Sequence, residues 1–99
     1  MKENGNKIVE VLVLWRRLDG RGLAGTDFQC AIKDVIPTVN DMLGEEVKGV
    51  KVSIYEGQIH TATFFRTVME TGGFEWHFYQ SVEMSFAYLE DKIQNYKAA

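Results

Sequence analysis

Residues 72–96, GGFEWHFYQSVEMSFAYLEDKIQNY, change period in mid-run. Phe74, Trp76 and Phe78 alternate with Glu75, His77 and Tyr79, the two-residue spacing of a strand. After Ser81 the apolar residues fall at Val82, Phe86, Leu89, Ile93 and Tyr96, the spacing of one helix face. Gly72-Gly73 ahead of the strand is a hairpin signal. A hairpin strand running into an amphipathic helix makes this half of the chain mixed α and β.

Upstream of that hairpin, Val50 to Tyr55 alternates, Glu56-Gly57-Gln58 turns, and Ile59 to Glu70 reads as a long strand. Ile8 to Trp15 is β-branched and apolar at both parities, so it reads as a strand covered on both sides. Arg16 to Gly25 holds three glycines and reads as a loop. Thr26 or Asp27 then caps a helix whose apolar positions are Phe28, Ala31, Ile32, Val35, Ile36, Val39, Met42 and Leu43, with Gly44 as its stop. Pro37 falls opposite the apolar stripe, so the expectation is one bent helix. The expected order is β-α-β-β-β-α. That is a single α+β domain over residues 1–99, with a loose tail at 1–6 and a four-stranded, mainly antiparallel sheet carrying two helices on one face.

A two-residue turn at Gly72-Gly73 pairs Met69 with Trp76, Thr67 with Phe78, Val68 with His77 and Arg66 with Tyr79. One face then carries Val50, Val52, Ile54, Ile59, Phe65, Met69, Phe74, Trp76 and Phe78, and is assigned to the helices. Trp76 is expected against the Val82–Phe86–Leu89–Ile93 stripe. The other face carries Lys51, Ser53, Tyr55, His60, Phe64, Arg66, Val68, Glu70, His77 and Tyr79, with Arg66 opposite Tyr79 as a cation–π pair. Within it, Tyr55, Phe64, Arg66, Val68, His77 and Tyr79 have the composition of an interface core, aromatics with an arginine and a few charges. The competing reading is a second small core beneath the N-terminal strand.

Composition narrows the class. At 99 residues, 45% hydrophobic and 25% charged, the chain can build one core without metal or disulfide. A net charge of -3 argues against nucleic acid as the main partner, because phosphate binding needs a basic face. The single cysteine, Cys30, excludes an internal disulfide and points to a reducing cytoplasm. The apolar run at Ile8–Trp15 is short, contains Glu10 and leads into Arg16-Arg17, so neither a signal peptide nor a membrane segment is expected.

Gly20-Arg21-Gly22-Leu23-Ala24-Gly25 matches G-x-G-x-x-G. Arg16-Arg17-Leu18-Asp19 separates it from the preceding strand, and the later strands form a meander, so it reads as a flexible connection. Arg16, Arg17 and Arg21 beside a helix N-terminus remain a candidate anion site. His60 and His77 are expected about 27 Å apart on one face, too far to share a metal. Cys30 is placed on the solvent side of the first helix near Lys33, a setting that lowers a thiol's pKa, with no histidine in reach. Asp27, Asp34 and Asp41 recur every seven residues as one outward helix stripe, followed by Glu45 and Glu46.

No catalytic residue, cofactor or metal ligand set is assigned, and the leaning is away from an enzyme. The expected function is a non-enzymatic protein-binding module, a small acidic inhibitor or accessory factor acting on another macromolecule. Its partner-binding residues are Asp27, Asp34, Asp41, Glu45 and Glu46 on the stripe, and Tyr55, Phe64, Arg66, His77 and Tyr79 on the sheet. The partner is a basic protein or a second copy in a homodimer, with no membrane partner. The alternative is a small-ligand-binding protein or enzyme with a pocket near the aromatic and histidine face.

Overall fold

The computed structural model describes the backbone of residues 4–80 and 84–98 and the side chains of 5–79 and 84–92. Strand β1 (Ile8–Arg16) sits inside the sheet, with Val9, Val11 and Val13 buried on one face. It turns back into β2 (Leu23–Ala31), which leads through a 3₁₀ turn at Ile32–Asp34 into α1 (Val35–Met42). Strands β3 (Val50–Glu56), β4 (Ile59–Val68) and β5 (Phe74–Gln80) follow, then α2 (Phe86–Ala98). All lie in one antiparallel sheet of order β2-β1-β3-β4-β5. The described residues form a single compact α+β domain with five strands and two helices. Since β2 and β3 both run against β1, they run parallel to each other, and α1 crosses over β1 between them. A short 3₁₀ turn at Asn4–Asn6 packs its backbone on the stem of Lys33.

The fifth strand corrects the expected loop and long helix. Leu23–Ala31 pairs residue for residue with β1, from Arg16↔Leu23 to Ile8↔Ala31. Phe28, Ala31, Ile32 and Val35 have helical spacing, but Ala24, Thr26, Phe28 and Cys30 equally have strand spacing. The β1 strand settles the choice, because β2 pairs with the backbone groups on the side of β1 that β3 leaves open, over a nine-residue register. Pro37 does not bend a helix. It is the third residue of α1, in the first turn, where its missing N–H has no intrahelical acceptor to lose.

The helices lie on opposite faces, not one. Val35, Val39 and Leu43 of α1, with Val47, pack on Val9, Val11, Val13, Val50, Val52 and Ile54; this is the first face. Phe86 and Leu89 of α2 pack on Phe65, with Leu14 and Tyr79, from the second face. The N-cap of α2 is Ser85, whose hydroxyl accepts the Tyr88 N–H at 3.1 Å. Trp76 therefore lies with Phe64 on the α1 side, away from the Phe86–Leu89 stripe. Val82 lies outside the described residues, as do the side chains of Ile93 and Tyr96.

Strand β4 is turned over relative to the expected register, for two reasons. The β3–β4 hairpin starts as expected, with Glu56↔Ile59 and Tyr55↔His60, but a bulge follows and Ile54 pairs with Ala62. One extra residue, Thr61, flips every side chain beyond it. The β4–β5 connection is Met69–Gly73 rather than two residues, closed by Met69 N–H to Gly73 O at 3.1 Å. Gly72 and Gly73 take φ of 93° and 87°, which glycine adopts without strain. Phe64, Arg66 and Val68 thus join Phe74, Trp76 and Phe78 on the first face, with pairs Arg66↔Trp76 and Phe64↔Phe78. Phe65 moves to the second.

Candidate functional site

The expected sheet site divides between the two faces. On the second face, Tyr55 packs edge-on to His60 with centroids 5.4 Å apart, and His60 Nε2 is hydrogen-bonded to Thr63 Oγ1 at 2.7 Å. Five positions along β4, His77 meets Thr67 Oγ1 at 3.3 Å and Glu75 at 3.8 Å. The two histidines are roughly 17 Å apart along the strand, less than expected and still too far for one metal ion. No group of three metal-ligating side chains converges among the described residues. Tyr79 is engaged with the α2 cluster, and Lys92 Nζ lies 5.9 Å from its ring centroid. This face is a second small core covered by α2, not by the N-terminal strand.

Arg66 lies on the first face and is 0% exposed. Its Nη1 donates to Leu43 O at 2.6 Å and Asn40 Oδ1 at 3.2 Å, and its Nη2 to Gly44 O at 3.0 Å and Val47 O at 3.1 Å. These carbonyls lie at and beyond the C-terminus of α1, where the helix cannot satisfy them itself. The guanidinium stacks 4.0 Å from the centroid of Phe74, not on Tyr79. Burial lowers its pKa, opposed by the negative charge of Glu46. Arg66 is thus the clamp holding α1 to the sheet.

The acid stripe separates as well. Asp27 is on β2 opposite Leu12, Asp34 is at the N-cap position of α1, and Asp41 is inside that helix. Glu45 accepts the Gly73 N–H at 3.0 Å, tying the loop after α1 to the β4–β5 turn. Cys30 is on β2, packed against the first-face core rather than facing solvent. Its thiol pKa is raised, by burial first and by the charge of Asp34 second, the reverse of an activated nucleophile. The glycine motif opens no helix, since Leu23–Ala31 is a strand. Arg16 is held by Glu90 at 2.8 and 3.2 Å, and Arg17 lies 3.5 Å from Asp19, so that loop lacks both the helix terminus and the three free cations of an anion site.

A feature the sequence did not show lies on the first face. Helix α1 has eight residues, about 12 Å, whereas ten-residue β4 runs about 33 Å. The helix cannot roof the whole face. Between its N-terminal end and strands β3–β5 is a cavity of about 370 Å³. Ile36, Ile54, Phe64 and Phe78 form apolar walls, and Thr61 and Lys33 are the polar residues among those lining it, the Thr61 hydroxyl donating to Ile54 O at 3.3 Å. Thr61 and Ala62 both line it although adjacent in sequence, because the bulge turns them to one side. At its outer wall Phe78 is 56% exposed, with its ring 4.9 Å from that of Phe64.

No family model, curated protein or solved structure matches this chain. No helix among the described residues is long and apolar enough to cross a membrane.

Proposed function

We propose that this chain is a non-enzymatic protein-binding module that works through the outer edge of β5, with a second copy of itself as the first partner. The carrying observation is that edge. β5 is bonded to a strand on one side only, and the outward N–H and C=O groups of an edge strand are a template for another strand. Natural edges are shielded by lysines, prolines or bulges. β5, FEWHFYQ, has no lysine or proline, pairs regularly with β4 and exposes Phe78. Antiparallel pairing of two copies centred on Trp76 sets Phe74 opposite Phe78 and Glu75 opposite His77, matching aromatic to aromatic and acid to base. For a different protein partner, exposed Asp41 and Glu46 beside α1 favour a basic surface. The lone Cys30 supports a cytoplasmic setting.

Light scattering over a concentration series tests this reading. The wild type should give a dimer, and Phe78→Lys a monomer with little change in melting temperature. A wild type that stays monomeric at the highest concentration overturns it, as does a dimer indifferent to Phe78→Lys.

A further inference from the structure

We infer that the cavity between the N-terminal end of α1 and strands β3–β5 is a binding site for a small apolar carboxylate. Its volume of about 370 Å³ lies within the range of small-molecule pockets, which are mostly apolar with a few placed polar groups. Ile36, Ile54, Phe64 and Phe78 provide an environment in which hydrocarbon is favoured over water. Lys33 is the single charged residue among those lining it, and it forms no ion pair with another described residue. Its stem is held by the backbone of the Asn4–Asn6 turn, with Gly5 packed against it. A hydrocarbon chain in the cavity with a carboxylate at Lys33 leaves neither the apolar walls nor the ammonium without a complement. A neutral hydrocarbon satisfies only the walls, and an acid without an apolar body satisfies only the lysine. Phe78 is common to the cavity wall and the β5 edge, whereas Lys33 lies in the 3₁₀ turn and Ile36 in α1, so substitutions at those two leave the edge strand unaltered.

Amide-resolved NMR titration with decanoate, and separately with decan-1-ol, tests the inference at a protein concentration where light scattering gives one species. Decanoate should shift the amides of Lys33, Ile36, Thr61 and Ala62, and should bind about fivefold more tightly than decan-1-ol. Lys33→Ala should remove that preference and leave decanol binding intact. Ile36→Trp, which fills the cavity, should abolish both. If that variant misfolds, the two wild-type titrations and Lys33→Ala still decide. Equal binding of acid and alcohol, shifts confined to the α2 face, or no shift at either ligand's solubility limit overturns the inference. Because both ligands are compared within one oligomeric species and Lys33→Ala leaves β5 unaltered, failure of this inference is distinguishable from failure of the dimer reading.

Discussion

Arg66 shows how much one side chain can organise in a small domain. Its two terminal nitrogens meet four acceptors around the end of α1, a geometry that suits the planar guanidinium fork and not an ammonium. Arg66→Met keeps the stem but removes the guanidinium donor from the buried bonds to Leu43 O and Val47 O, while Gly44 O keeps the Val47 N–H at 3.2 Å. It should cost about 3–5 kcal/mol, read from denaturant unfolding. Arg66→Lys should recover less than half of that loss. Full recovery by lysine would reduce the role of Arg66 to charge alone. Cys30 makes the second residue-scale prediction. Its thiol pKa is raised in the fold, so the stability it contributes is present below the unfolded thiol pKa and lost as pH rises through the higher folded value. Stability should therefore decline on the alkaline side, and Cys30→Ala should flatten that decline. Alkylation of native protein near pH 8 should be slower than of unfolded chain.

Among the elements, the C-terminal strand and helix and the β3 and β4 hairpin strands were legible, because each has one dominant period. Strand β2 was not, because Phe28, Ala31, Ile32 and Val35 fit a helix while Ala24, Thr26, Phe28 and Cys30 fit a strand. The partner that decides between them is the preceding strand, β1, across the short connection from Arg16 to Leu23, and a period read within one segment does not register that pairing. The face of β4 was hidden for a related reason: the bulge at Thr61 adds one residue with no glycine or proline to announce it, and one residue exchanges Phe64 with Phe65. The consequence is measurable. Phe65 is 2% exposed, with the Phe86 ring 5.6 Å away edge-on, and Leu89 is fully buried. Phe65→Ala should cost about 3–5 kcal/mol and Leu89→Ala about 2–5. Phe78→Ala on exposed β5 should cost below about 1 kcal/mol. If Phe78→Ala proved the most damaging of the three, the edge would be core and the β5 docking reading would fall with it. Of the candidate site, the aromatic composition was legible. The cavity was not, because it depends on the shortness of α1 and on the bulge together.

At the scale of the whole molecule, the sheet is a plate between two unequal layers, and β4 joins them. Phe65 reaches the α2 cluster while its neighbour Arg66 holds the end of α1. The two clusters are therefore coupled through shared strands, β4 at Phe65 and Arg66 and also β1 at Val13 and Leu14, and neither layer can keep its packing if β4 leaves the sheet. The expectation is one cooperative transition rather than two. Trp15 and Trp76 pack against the α1-side cluster, so their fluorescence reports that layer, whereas far-UV circular dichroism reports both helices. The two signals should trace the same denaturant curve in the wild type. They should still coincide in Phe65→Ala, which weakens only the α2 layer directly, with the shared midpoint lowered. Arg66→Met, acting from the other layer, should lower it in the same manner. A Phe65→Ala variant in which circular dichroism falls before tryptophan fluorescence would show that α2 unfolds by itself. The coupling assigned to β4 would then be absent, and the two clusters would be separate units sharing a sheet.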